Sequence, residues 1–223
     1  MVITSRSKSP DVALRELFYL EEKLSLIINE RAIRYGFGEH PKHRLTSYHN
    51  FFIDNIIDGG NVLDIGCGYG AVARSIAINK PNSIVLGIDN NKERLDQAIK
   101  SNNPSNLSYS LQDITEPYPN LDWTYIVLSN VLEHIDNRIE TLMVLRKQTK
   151  AQTFLIRVPS FERHWSVALR KELDINYFQD DDHKIEHTVS QFTNEIHMAG
   201  LKLLNLTTIW GEIWAICLSE KHD

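Results

Sequence analysis

Asn130, Glu133 and His134 stand at positions i, i+3 and i+4 just after an apolar run. On a helical turn that spacing puts the three side chains on one face. Histidine titrates near neutral pH, so a carboxylate and an imidazole held together can take up or pass on a proton. A second group, Asp180-Asp181-Asp182-His183-Lys184-Ile185-Glu186-His187-Thr188, crowds acids around two histidines. Most acidic runs are solvated loops, but this one carries histidines and precedes a helix. Upstream, Val62-Leu63-Asp64-Ile65-Gly66-Cys67-Gly68-Tyr69-Gly70 reads as an apolar strand, an acid, and a glycine loop that opens a helix. A nucleotide-binding α/β unit begins in that way. The glycines permit φ > 0 and a close approach of backbone to a ligand. The helix behind them aims unpaired N–H groups at the turn. Asp89 closes the next apolar run, 84–88, where a carboxylate could grip the two hydroxyls of a ribose.

Such side chains need a frame, and the hydrophobic pattern supplies one. Apolar runs at 61–65, 84–88, 107–111, 123–128 and 152–158 alternate with helical patterns at 69–79, 91–100, 131–148 and 190–199. Alternation of this kind predicts a parallel sheet with helices on both faces. In the helix at 69–79 the pattern turns Val72, Ala73 and Ile76 inward. After Gly200, two further runs, 201–209 and 212–218, are separated only by Trp210-Gly211, which forces an antiparallel hairpin. Trp210 and Trp214 read as packing there. At the other end, Ser9-Pro10-Asp11 starts a helix with Leu14, Leu17, Phe18, Leu24, Ile27 and Ile28 at helical spacing, stopped by Gly36 and Gly38. A second amphipathic helix carries Tyr48, Phe51, Phe52, Ile56 and Ile57. The intervening His40–Arg44 cluster reads equally as an anion-facing group and as a solvated loop.

At Leu63–Gly70 and Gly87-Ile88-Asp89 the sequence resembles the class I S-adenosylmethionine (SAM) methyltransferases, at their first and second motifs; the alternative is another dinucleotide-binding fold. The resemblance covers nearly the whole chain. It implies a Rossmann-like, seven-stranded, mostly parallel sheet of order 3-2-1-4-5-7-6 with the last strand antiparallel. It also implies an N-terminal helical lid over residues 1–58 and an inserted acceptor-site segment at 159–187, all in a single domain of residues 1–223. Cofactor contacts then fall to Asp64, Gly66, Cys67, Gly68, Gly70, Asp89, Asn90, Asp113, Ile114, Ser129 and Asn130. Asp113 would approach the adenine amino group and Ile114 its ring; the plainer reading of Asp113 is a cap on a loop.

The two polar groups together resemble the metal-dependent small-RNA 2′-O-methyltransferases of the Hen type, which carry Glu-x-x-Glu-His and a later His-Lys-x-Glu-x-Thr. Here Glu133-His134 and His183-Lys184-Ile185-Glu186-His187-Thr188 match, while Asn130 replaces the first Glu. Ubiquinone-type O-methyltransferases share the first part. The resemblance implies a divalent ion held by Glu133, His134 and His183 with Asn130 as a fourth, uncharged ligand. The mixed nitrogen and oxygen set suits Mn²⁺, Fe²⁺ or Zn²⁺ as well as Mg²⁺. Such an ion lowers the pKa of a bound sugar hydroxyl and orients it for in-line displacement. The competing version has no metal and uses His134 or His183 directly as base. Arg157, Arg163, Trp165 and His187 are the candidates for acceptor binding: donors for a phosphate or uronate, and an aromatic platform for a sugar face. Trp165 reads equally as core of an inserted helix.

Composition narrows the acceptor. The chain has 223 residues and a net charge of −5, ordinary for a globular protein and without Lys/Arg runs. A nucleic-acid acceptor is therefore disfavoured. Two cysteines make no disulfide framework, Met1–Pro10 is too polar for a signal peptide, and no run reaches transmembrane length. These features predict a cytoplasmic enzyme, monomer or homodimer, working on a small-molecule or glycan acceptor. The leading expectation is O-methylation of a sugar hydroxyl. RNA 2′-O-methylation, a quinone or phenol acceptor, and a non-enzymatic SAM-binding module are the alternatives.

Overall fold

The computed structural model describes residues 9–37 and 40–219. Gly38, one of the two expected helix stops, and Met1–Lys8 of the leader reading lie outside those residues.

Seven strands form one sheet of order β3-β2-β1-β4-β5-β7-β6. They are β1 (Val62–Ile65), β2 (Val85–Asp89), β3 (Leu107–Leu111), β4 (Tyr125–Ser129), β5 (Thr153–Pro159), β6 (Leu201–Ile209) and β7 (Glu212–Ser219). The first five pair in parallel, and β7 runs antiparallel to both β5 and β6. The expected order and sense are therefore the ones found. β1 and β2 are buried along their whole length, as strands covered on both faces must be. Leu63, Ile65, Ile126, Leu128, Phe154 and Ile156 form the middle of the core.

The helices are α1 (Pro10–Tyr35), α2 (Lys42–Thr46), α3 (His49–Asp54), α4 (Ala71–Asn79), α5 (Lys92–Lys100), α6 (Arg138–Thr149), α7 (Trp165–Glu172) and α8 (Val189–Met198). The chain winds from β1 outward through β2 to β3, then returns to β4 and winds the other way to β5. Right-handed crossovers in opposite directions place their helices on opposite faces and open a crevice where the direction reverses, between β1 and β4. In α4 the residues expected inward, Val72, Ala73 and Ile76, are buried.

The chain divides into two units, residues up to Tyr48 with His164–Tyr177, and His49–Arg163 with Phe178 onward. In the first unit α7 packs on α1: the Arg170 guanidinium lies 4.5 Å from the Phe18 ring centre and donates to Glu21 at 2.9 Å. α1 ends at Gly36 as expected, yet of its six apolar residues at helical spacing only Phe18 is buried. Leu17, Leu24, Ile27 and Ile28 stay exposed. In the His40–Arg44 cluster, His40 Nδ1 accepts the Lys42 N–H and His43 bonds the Tyr48 hydroxyl. The second helix of the reading is the short α3, which stops at Asp54 before Ile56 and Ile57, and the His40–Arg44 cluster itself forms most of α2, which ends at a left-handed Ser47 (φ 49°). Of the apolar residues of that reading Tyr48, Phe52 and Ile56 are buried, while Ile57 is not.

Two further departures concern the polar groups. The helix expected over 131–148 is a 3₁₀ turn at Leu132–His134 followed, after an extended Ile135, by α6 from Arg138. Asn130 is left-handed (φ 57°), so it does not share a helical face with Glu133 and His134. Asp136-Asn137 marks the real helix start, a signal the apolar periodicity overrode.

Candidate active site

The glycine turn is built by local necessity. Gly66 follows β1 with φ 65°, and a Cβ there would stand 2.7 Å from a Val131 methyl. Gly70, with φ 73°, is the N-cap of α4, and a Cβ there would strike the Tyr109 hydroxyl at 2.1 Å. Between them, the Gly70 N–H bonds to the Cys67 carbonyl at 2.8 Å, and the Cys67 N–H reaches back to Ile88. Asp89 locks this turn to β2: its carboxylate accepts the Gly68 N–H and the Asn91 N–H, both at 2.7 Å. Each oxygen keeps a lone pair for a further donor.

Asp64 is sealed under the turn. Burial, with the Asp89 charge adding to it, pushes its carboxyl up to about 8 against a backbone bond from Ala73. One of its oxygens has no partner. Burial also drives up the Cys67 thiol, and the neighbouring acids add to the shift, so this sulfur is no nucleophile.

A cleft of about 330 Å³ opens at the carboxyl ends of β1, β2 and β4. Gly66, Asp89, Asn90, Ile114, Asn130 and His134 of the expected residues line it. Asp64, Cys67, Gly68, Gly70 and Ser129 do not. Asp113 does not either: its Oδ1 accepts the Thr115 N–H and hydroxyl, the cap on a loop that its sequence also allowed. The cleft adds Arg94, Gln112, Ile135 and Asp182. The sequence does not single out Gln112, although it directly follows the run 107–111 and precedes Asp113, while Asp182 stands in the acidic run. Arg94 carried no signal, because an arginine in a first helical turn is ordinary.

Beside the cleft the two polar groups meet. The left-handed Asn130, anchored by its N–H to the Arg157 carbonyl at 2.8 Å, swings the chain off β4. Leu132 enters the core and draws Glu133 inside with it, to 0% exposure. The Lys184 N–H donates to the Glu133 carbonyl at 2.7 Å and fastens the distant histidine segment on top. The His134 and His183 rings then lie edge to face, 4.7 Å between centres. Ligand-type atoms of Glu133, His134 and His183 all lie within 4.8 Å of one another.

Their electrostatics differ. Burial pushes the Glu133 carboxyl up to about 8, although His183 and Arg157 pull it down. Both its oxygens, like the Asn130 amide oxygen, are buried without a hydrogen-bond partner. For His183 burial is outweighed by the bond from Nδ1 to Glu186 (2.9 Å) and by Glu133, so its pKa rises. For His134 burial wins over Asp182, so its pKa falls and the ring is neutral near pH 7. Buried oxygens without donors are costly unless a cation takes them. Two carbonyl-type oxygen sources and two imidazoles are a set that a divalent transition metal fits. Glu133, His134, His183 and Asn130 could hold one.

The expected acceptor residues have other partners. Arg157 grips Glu212 with two nitrogens at 2.6 and 2.8 Å, and also donates to Ser129. Arg163 donates to Glu186 at 2.6 Å. His187 is fully buried and bonds Glu195, which Arg138 also clamps, so its ring is part of the frame and not of a surface. Trp165 lies in the first unit, 70% exposed and not core. Trp214 packs on Phe51 as a framework residue, while Trp210 is exposed at the hairpin turn.

Residues 37–206 match the model of a methyltransferase domain family. The chain belongs to this methyltransferase domain family. Curated relatives include a probable (S)-tetrahydroprotoberberine N-methyltransferase 2 from Papaver bracteatum, 33% identical over 37% of this chain and 24% of the relative. The (S)-coclaurine N-methyltransferase of Thalictrum flavum subsp. glaucum is 33% identical over 46% of this chain and 29% of its own length. The matched region thus spans only 24% and 29% of the length of those relatives. Among solved structures, a putative methyltransferase from Haloferax volcanii, in complex with the Trm112 activator, aligns with TM-score 0.66 at 15% identity, over 81% of this chain and 91% of that one. The small RNA methyltransferase HEN1 aligns with TM-score 0.64 at 17% identity, over 78% of this chain and 25% of that one. Magnesium protoporphyrin IX methyltransferase from Synechocystis, solved with S-adenosylhomocysteine bound, aligns with TM-score 0.60 at 14% identity, over 85% and 86%. These likenesses are likenesses of fold. Among the described residues no helix is long and apolar enough to cross a membrane.

Proposed function

We propose that this methyltransferase domain transfers the methyl group of SAM to a hydroxyl of a sugar, in a glycan or a nucleotide-linked sugar, with a divalent ion at Asn130, Glu133, His134 and His183. The observation that carries the reading is the buried, partnerless Glu133 carboxylate between two histidines, beside the cleft at the end of β4. In this reading SAM lies over the glycine turn, its ribose on Asp89 and its adenine against Ile114. Asn130 and His134 line the same cleft, so the sulfonium carbon would face them. His134, neutral near pH 7, keeps a lone pair for that ion, and the proton that the hydroxyl loses passes to water. An ion at the four residues supplies the rest: it lowers the hydroxyl pKa and fixes its orientation. Glu186 holds His183 from behind, so that only Nε2 faces forward.

A ribose at an RNA 3′ end is the second reading, favoured by the fold likeness to HEN1 over most of this chain. The alkaloid N-methyltransferase relatives match less than half of the chain and make a nitrogen acceptor the third outcome. Transfer of labelled methyl from SAM to a panel of nucleotide sugars, RNA 3′ ends, phenols and secondary amines tests all three. The expected product is a methyl ether on a sugar, with the position read by NMR. Methylation of amines or phenols alone would overturn the proposal.

A further inference from the structure

Charge balance in the histidine cluster is incomplete. Asn130 and two neutral histidines bring no charge, so Glu133 alone faces a divalent ion. The acidic turn that leads into His183 stands on the open side. Asp182 lines the cleft together with Asn130 and His134, and its Oδ2 lies 3.2 Å from His134 Nδ1. That nitrogen nevertheless makes no aligned hydrogen bond. Two ligands of one metal ion stand roughly 3 to 4 Å apart at bond lengths near 2.1 to 2.3 Å. The His134–Asp182 separation falls in that range. Asp180 is also near, with Oδ2 3.6 Å from His183 Nε2, but it does not line the cleft. Both aspartates are mostly exposed, and among the described residues the atoms that lie within 4.8 Å of one another are those of Glu133, His134 and His183 alone, so Asp182 reaches an ion only by moving its side chain.

We infer that Asp182 is a ligand of the divalent ion, supplying the second negative charge of the site from the loop before His183. The residues that would hold the ion are then Asn130, Glu133, His134, Asp182 and His183. The inference rests on the metal reading above and goes beyond it, since it makes the ion the clasp between the β4 turn and the acidic turn.

Calorimetric titration of Mn²⁺ into the full chain, with the EPR signal of free Mn²⁺ as a second readout, tests this. Asp182→Asn is expected to weaken binding by about 10- to 100-fold, and Asp180→Asn by less than about 3-fold. Asn130→Asp in the Asp182→Asn background is expected to restore most of the loss, because it returns the charge from the other side. The Asp182→Asn loss should persist at high salt, where the field of an exposed charge is screened. Equal losses for Asp180→Asn and Asp182→Asn, both vanishing at high salt, would overturn the inference and leave the metal site standing. Unchanged binding in Asp182→Asn would do the same. No Mn²⁺ binding by the parent protein would overturn the metal reading and this inference with it. An unshifted thermal midpoint in Asp182→Asn shows that the fold is intact.

Discussion

Glu133 is the residue on which most depends. It is wholly buried, held near neutral charge by its surroundings, and offered no donor by the protein. Glutamine has the same shape and no charge, so Glu133→Gln should leave stability within about 1 kcal/mol by urea unfolding. The same variant should lose at least about 100-fold in kcat/KM, or roughly 3 kcal/mol of transition-state stabilisation. Asp64 makes a separate prediction. Its folded carboxyl keeps a proton up to about 8, while the unfolded chain loses that proton at an ordinary carboxylate pKa. Its contribution is therefore complete at acid pH and is lost as pH rises toward about 8. The urea midpoint of the cofactor-free protein should fall between pH 5 and about pH 8.5. Asp64→Asn should flatten this slope only partly, because Glu133 contributes with the same sign.

At the scale of elements, the glycine turn and the α6–α8 clamp can be broken one at a time. Gly66→Ala forces a left-handed alanine against Val131, and should cost about 2 kcal/mol or more along with much of the SAM affinity. Arg138→Ala removes one of two partners of Glu195, the α8 residue that also bonds the buried His187. Burial would raise Glu195, but the bonds from His187 and Arg138 prevail and hold it at about 2. The variant should destabilise the fold by about 2 kcal/mol, less than a fully buried pair, since both side chains are partly exposed. Strands were legible because parallel strands bury both faces and leave continuous apolar runs such as Val85–Ile88, whereas their order came from the family resemblance alone. The turn after β4 was not. Leu132 fits helical periodicity, and nothing in the pattern reveals that Asn130 turns left-handed to place it. Pairing was illegible for the same reason: Arg157 reads as a donor awaiting a phosphate until β7 brings Glu212 against it. The Glu133–His183 approach was implied by the resemblance to the Hen-type enzymes, but only the Lys184-to-Glu133 backbone bond shows how fifty residues of chain are spanned.

At the scale of the molecule, a doubly wound sheet brings the crevice, the glycine turn and the β4 turn to one edge, and the hairpin of β6 and β7 closes the far side. Ligand binding should therefore stabilise the whole sheet. SAM at 100 times its Kd should add about 2.7 kcal/mol to the unfolding free energy. The most direct test of the central claim is the initial rate of methyl transfer to a sugar acceptor after exhaustive chelation, with and without returned Mn²⁺. The account predicts that chelation abolishes transfer, that Mn²⁺ restores it in the parent protein, and that Glu133→Gln stays inactive in both states. Full activity in chelator, equal in the parent and Glu133→Gln, would contradict it.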